Sequence, residues 1–322
     1  MKNESIYWIA VSALKNMNTE SVNNLIIDIY LNKKSSISEF FRLNENEYRL
    51  KYSLKPEIIE NINSVKKKYP DLEEVKKGLE SNSINVISVN SKDYSRQLYK
   101  NLKINRSPSV IYAKGDLALL NQSSIAIVGS RSASNISLKF TDSIAKKLVE
   151  MDKVIVSGYA KGVDRQALDS ALKYNGKSII VLPQGILTFI SGLRNYQKEI
   201  DSGKLLILSS YYPKSPWSVQ LAMARNSIIY GLAEEIYVAE SNNSGGTWSG
   251  VLEGLKRNQK IFVRKPLKNE NNANNKLIDR GAKPLFWEEI SKIKTIENNV
   301  FQVSDTSRNN FEELVYVSAV SS

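Results

Sequence analysis

The stretch SIAIVGSRSASNISLKFTDSIAKKL, residues 124–148, sets an apolar-rich run, Ile125 to Val128, against Gly129. Ser130, Arg131, Ser132 and Ser134 follow, and then apolar residues return at helical spacing. A strand that stops at a glycine and restarts as a helix leaves backbone N–H groups at the break, where the helix dipole favours an anion. Gly129 lets a ligand approach the backbone, the serines offer hydroxyls, and Arg131 can grip a phosphate through two parallel hydrogen bonds. Neither G-x-G-x-x-G nor G-x-x-x-x-G-K-[ST] occurs, which argues against dinucleotide and ordinary ATP sites.

Three other segments carry similar residues. In VSGYAKGVD, residues 156–164, Gly158 and Gly162 flank Lys161, and Asp164 is placed to cap the helix that follows. In MARNSIIYGL, Arg225 and Asn226 precede an apolar helical turn. In SNNSGGTWSG, residues 241–250, Ser244, Gly245, Gly246 and Thr247 can bind phosphate oxygen or cap a helix. Each has a plainer reading as well: a tight strand-to-helix connection, a surface arginine, a helix cap. Together they bring Arg131, Lys161 and Arg225 to one edge with hydroxyls and glycines, and no nucleophile is paired with a general base. That combination suits a clamp on phosphates with no catalytic residue. Tyr159 and Trp248 are the neighbouring aromatics to test for base stacking, with burial in the core as the alternative for each.

The elements that must position these turns follow from periodicity. Residues up to about 80 read as helices, with Val22, Leu25, Ile26, Ile29 and Tyr30 recurring at spacings of three and four. Asp71 is expected to cap a helix starting after Pro70. From Asn85 the period changes. INVISV and SVIYAKGD read as strands, and after them SIAIVG, KVIVSG, KSIIVLP, KLLILSS, EIYVAE and KIFVRK alternate with helical or looser segments, one helix spanning about residues 222–231. Strands without internal polar alternation, each followed by a helix, indicate a parallel sheet covered on both faces. The expected fold is α/β, an extended Rossmann-like, doubly wound, mostly parallel sheet preceded by a small helical domain. The expected division is 1–80 helical, 81–292 Rossmann-like and carrying the phosphate site, and 293–322 a short tail. Ligands in such a sheet bind beyond the carboxyl ends of the strands, where the four segments lie.

Composition narrows the chemistry. The 322 residues hold 45 Lys and Arg against 33 Asp and Glu, a net charge of +12. The excess is greatest over residues 121–267, with 19 basic against 11 acidic side chains, so a polyanion is the partner class to expect. There is no Cys and no His, which excludes disulfides, thiolate nucleophiles, histidine acid–base chemistry and the usual zinc sites. No cofactor or metal is called for. IYWIAVSAL near the start is too short for a membrane span and lacks a small-residue cleavage site, so it reads as a packed helix of a cytoplasmic protein with no membrane partner.

IAIVGSRSAS, VSGYAKGVDRQAL, IIVLPQG, ARNSIIYGLAEEIYVAES, SGGTWSGVLEGLKRNQKIFV and NNKLIDRGAKPL occur in the order, and at about the spacing, of the DNA-processing protein A (DprA/Smf) family. YSRQLYKNLKINRSPSVIYAKGD resembles that family's lead-in to its Rossmann fold. The resemblance covers roughly residues 5–290. It implies a homodimeric protein that binds single-stranded DNA and loads the RecA recombinase during DNA uptake, natural transformation and recombination. Gly129, Ser130, Arg131, Lys161, Arg225 and Asn226 would line the phosphate path. The chain departs from the pattern at Leu168, where the family usually has His, and at Ser227, where a second Arg is common. Too few residues follow for a C-terminal winged helix. Two other readings share the architecture. One is a nucleotide-sensing component of a defence or regulatory module. The other is a phosphoribohydrolase of the lysine-decarboxylase-like group, whose P-G-G-x-G-T-x-x-E loop is echoed in SGGTWSGVLEG with Glu253.

Overall fold

A computed structural model of the chain describes residues 4–293. Six α-helices come first, α1 (Ser5–Ala13), α2 (Thr19–Ile27), α3 (Ile37–Arg42), α4 (Glu45–Tyr52), α5 (Pro56–Lys66) and α6 (Tyr69–Ser81), with a π-helical turn, Asp28–Asn32, continuing α2. α3 and α4 open with reciprocal capping boxes, Ser36 with Glu39 and Asn44 with Glu47, which satisfy first-turn amides that a helix cannot bond internally. α6 begins at Tyr69, with Pro70 in its first turn and Lys68 at the cap position. Asp71 therefore lies inside the helix as a first-turn acid, favoured there by the dipole, and is not its cap.

The rest of the described chain builds one sheet. β1 (Asn85–Ser88), α7 (Arg96–Arg106) and β2 (Val110–Lys114) lead into β3 (Ser124–Val128), α8 (Asn135–Glu150), β4 (Val154–Ser157), α9 (Val163–Lys173) and β5 (Ser178–Val181). The looser stretch after β5 holds two short helices, α10 (Ile190–Asn195) and α11 (Gln197–Asp201), before β6 (Leu205–Ser209). Then come α12 (Val219–Ala224), α13 (Asn226–Leu232), β7 (Glu235–Val238), α14 (Gly246–Lys256), β8 (Lys260–Arg264), α15 (Asn274–Ile278) and β9 (Lys283–Leu285). The strand order is β1-β2-β6-β5-β4-β3-β7-β8-β9. The seven strands from β6 to β9 in that order are parallel, and only β1 with β2 and β2 with β6 pair antiparallel.

The strands are apolar along their length because both faces are covered. In β3, Ile125 and Ile127 point into a core with Phe140, Ile144 and Leu148 of α8 and Val163, Ala167 and Ala171 of α9. Ala126 and Val128, one residue out of phase, point into the other core, as the two-residue period of a strand requires. That second core also takes in Trp8 and Ile9 of α1, Ile26 of α2, Leu98 of α7 and Tyr230 of α13. Polar side chains tie the helical segment to the sheet inside it. The Ser12 and Tyr112 hydroxyls lie 2.6 Å apart, and buried Asn23 donates to the Ser107 carbonyl (2.8 Å) while accepting from the Ser109 hydroxyl (2.6 Å).

From β3 the chain winds outward through β4, β5 and β6, then returns to the other side of β3 as β7 and continues to β8 and β9. The order therefore reverses at the β3–β7 pair, and the carboxyl ends of these two strands open a crevice that no crossover fills.

Candidate functional site

A cleft of about 340 Å³ occupies that crevice. It is lined by Gly129, Ser130, Arg131 and Ser132 after β3, by Ala160 and Asp164 after β4, by α12 and α13 through Arg225, Asn226 and Tyr230, and by Ser244 to Thr247 after β7. Three of the four segments singled out from the sequence thus meet in one place, and the fourth contributes Ala160 and Asp164 beneath them. Two glycines permit this convergence. Gly162 has φ +78°, and a Cβ there would lie 2.2 Å from the Ser130 carbonyl oxygen, so only glycine lets the second loop close on the first. The Val163 N–H then donates to that same carbonyl at 3.2 Å.

Gly158 lies under the guanidinium of Arg225, whose Nη1 would be 1.3 Å from a Cβ at residue 158. Arg225 is 3% exposed and forms the floor of the cleft. It sits at the break between α12 and α13, where the sequence led us to expect one continuous helix. Its partner is Asp164, 6% exposed, with Nη1 and Oδ2 3.5 Å apart. Asp164 is therefore not the helix cap expected; Gly162 holds that position, and Asp164 lies within α9 as the counter-charge to Arg225. Burial pushes the Asp164 carboxyl above its ordinary value, opposed by the charge of Arg225 and by the backbone at Ala160 and Gly158. Burial pushes Arg225 the other way, opposed by Asp164, and the like charge of Arg131 adds to the downward push. Arginine keeps its charge even so. Nε and Nη1 of Arg225 have no hydrogen-bond partner, and buried donors left this way are costly unless an acceptor reaches them. Arg131 is exposed at the rim. The cleft therefore presents two guanidiniums against one carboxylate.

Much of the donor capacity at the break after β3 is already used within the chain. The chain supplies an anion of its own: the Glu240 carboxylate accepts from the Ser134 N–H (3.0 Å), the Ser134 hydroxyl (2.6 Å) and the Ser137 hydroxyl (2.7 Å) at the start of α8. Of the turn's own amides, the Ser130 N–H is spent on the Glu240 carbonyl (2.8 Å) and the Ser132 N–H on the Ser130 hydroxyl (3.1 Å). Glu240 follows β7, the strand next to β3, so parallel pairing carries its carboxylate to the α8 terminus. One helix end without a side-chain cap at the cleft is that of α14, whose cap position is Gly245.

Other expectations land elsewhere. Lys161 is exposed and not part of the lining. Tyr159 packs edge-on against Phe189 and Tyr196, at 5.1 and 5.9 Å, with Arg165 4.1 Å above its ring. Trp248 is half-buried, with Arg280 4.9 Å from its ring centre. Neither aromatic lines the cleft. Leu168 is fully buried, and the Ser227 hydroxyl donates to the Ala224 carbonyl at 2.8 Å. Glu240 and the pairing role of Asp164 were missed from the sequence, since each acts on a residue brought near only by the sheet.

A doubly wound sheet with a basic cleft at its switch point places the chain among Rossmann-like proteins of α/β architecture. Residues 85–296 match the family described as DNA recombination-mediator protein A, and the chain belongs to that family. It is 30% identical over 243 residues to the DNA processing protein DprA of Bacillus subtilis, covering 74% of this chain and 80% of that protein. An X-ray structure of DNA processing protein A from Streptococcus pneumoniae superimposes with a TM-score of 0.69 at 24% identity, covering 91% of this chain and 97% of that one; that likeness is one of fold. DNA processing protein A from Helicobacter pylori, whose structure is described as revealing a unique single-stranded DNA binding mode, matches with a TM-score of 0.55 at 27% identity, over 65% of this chain and 94% of that one. Among the described residues no helix is long and apolar enough to cross a membrane.

Proposed function

We propose that this chain is a single-stranded DNA-binding protein that holds a backbone phosphate in the cleft at the β3–β7 switch point and acts in recombination without chemistry of its own. The observation that carries the reading is Arg225, a buried guanidinium on the cleft floor whose Nε and Nη1 make no hydrogen bond, Nη1 having only the 3.5 Å ionic contact with Asp164. An anion entering the cleft brings acceptors toward those donors, toward the rim guanidinium of Arg131 and toward the first-turn amides of α14. The single-strand class is favoured by the net charge of +12, by family membership and by the printed description of the Helicobacter relative. Gly129, Ser130, Ser132, Asn226, Ser244, Gly245, Gly246 and Thr247 would form the walls, with Lys161 meeting the strand outside the cleft. Loading of RecA, a homodimeric state and a cytoplasmic setting belong to the same proposal and rest on the family resemblance.

The test is binding to a fluorescent oligothymidylate across a salt series. Arg131→Ala should weaken binding by about 1.5–3 kcal/mol, the worth of a charge-assisted hydrogen bond, equally for different base sequences, because a phosphate contact carries no base information. Unchanged affinity would remove the turn after β3 from the site.

A further inference from the structure

A second cleft, of about 510 Å³, opens beside the first, between α2 and α7 on one side and α13 and α14 on the other. The two share Met223, Asn226, Tyr230 and Gly246 in their walls, so a chain leaving one enters the other directly. The second cleft holds two cations, Arg106 and Arg257, and both lean on one acid. Glu253 Oε1 is 2.9 Å from Nη1 of Arg106 and 3.7 Å from Nη2 of Arg257. Glu253 is also well exposed, at 45% of its side chain, and so free to swing away; Glu20 is the other acid in the lining.

What distinguishes this cleft from an ordinary seam is its unpaired donors. Nε and Nη1 of Arg257 are buried without hydrogen-bond partners, and so is the hydroxyl of Tyr230, a residue only 1% exposed. That hydroxyl lies against Gly250, in the wall of the second cleft: a Cβ on Gly250 would be 3.0 Å from it. Burial raises the Tyr230 pKa far above its ordinary value, so the hydroxyl stays protonated and able to donate. A ligand that satisfies such a set is an acceptor with several oxygens.

We infer that the second cleft is a subsite for a further phosphodiester of the same strand, reached across the shared wall of Asn226 and Gly246, with Glu253 holding Arg106 and Arg257 in place until the strand displaces it. The inference rests on the single-strand reading above. It gives the strand a direction over the surface, from the switch point toward the seam with the N-terminal helices.

Arg106 is the residue to change, since its side chain is 60% exposed and its loss spares the fold. Two probes are used, a thymidine dinucleotide filling the first cleft only and a longer oligothymidylate reaching both. Arg106→Gln should lower affinity for the longer strand about ten-fold at low salt and reduce its salt slope by about 0.7, the value for one phosphate contact of a single strand. The dinucleotide should bind as before, and Glu253→Gln should bind the longer strand several-fold tighter than the unaltered protein. If Arg106→Gln leaves affinity and slope for the longer strand unchanged, water satisfies these donors and the subsite does not exist. If it weakens both probes alike, Arg106 acts on the first cleft and the subsite is again refuted. An unaltered protein that binds neither probe would instead overturn the single-strand reading itself.

Discussion

Arg225 and Asp164 pose a question of cost at the scale of single residues. Removing two charges from water costs several kcal/mol per ion, and their attraction repays this only when the geometry is excellent. Here the closest contact is 3.5 Å, from Nη1, and neither Nη1 nor Nε makes a hydrogen bond. Stability is thus a poor explanation for the pair, whereas presenting a fixed cation to a ligand is a good one, because Asp164 holds the guanidinium against Gly158 before any ligand arrives. Arg225→Met alone should destabilise by about 3–5 kcal/mol, since it strands a buried carboxylate. The double variant with Asp164→Leu should regain most of that loss and still fail to bind DNA. Denaturant unfolding beside a binding titration checks both. A double variant as unstable as the single one would mean the pair is a net stabilising bond.

At the scale of elements, the start of α8 is held by a chain of polar contacts that crosses three strand ends. Glu240 accepts from Ser134 and Ser137, and Arg264 of β8 donates to the Ser137 hydroxyl (2.9 Å) and the Ala239 carbonyl (2.9 Å). Glu270 grips Arg264 from the far side, its Oε1 accepting from Nη1 at 2.8 Å. Hydrogen bonds from Arg264, with help from the Leu267 amide and Asn272, hold the Glu270 carboxyl below the ordinary 4.5. A depressed folded-state value means that folding favours the ionised form. This contribution is therefore complete above pH 4.5 and disappears as pH falls through the folded-state value. Glu270→Gln should be less stable at neutral pH and lose less stability on acidification, measured by urea unfolding through a pH series. Parallel acid profiles for both proteins would show that the carboxylate contributes nothing. The elements themselves were readable because β3 to β8 are buried on both faces and so appear as unbroken apolar runs. The α12–α13 break was not readable, because it is a single residue, Arg225, whose φ of −65° and ψ of −19° stay in the helical region; what did escape the sequence is its pairing with Asp164 on α9, distant in the chain and joined to it only by the fold.

At the scale of the whole molecule, the helices of residues 5–81 and the sheet share one core, with Trp8, Ile26, Leu98 and Val156 in a single cluster. We propose that the change of element type near residue 80 is not a seam between separately stable units. The expected tail, 293–322, lies outside the described residues apart from Ile293. A parallel sheet with its ligand turns beyond the carboxyl ends of the strands followed from periodicity and from the rule for doubly wound sheets, whereas the reversal at β3 is given by the strand order. Glu240 inverted the local expectation, since a carboxylate after the neighbouring strand, far off in the sequence, cannot be assigned to a helix terminus before the strands are ordered. On the proposed reading the basic cleft serves a strand and not a free nucleotide. The most direct measurement compares the unaltered protein's affinity for an oligothymidylate, the matching duplex and thymidine monophosphate at low and at physiological salt. The single strand should bind tightest, with a log–log salt slope of about −0.7 for each phosphate held. Tight binding of the mononucleotide with little dependence on salt, or equal affinity for single strand and duplex, would contradict it.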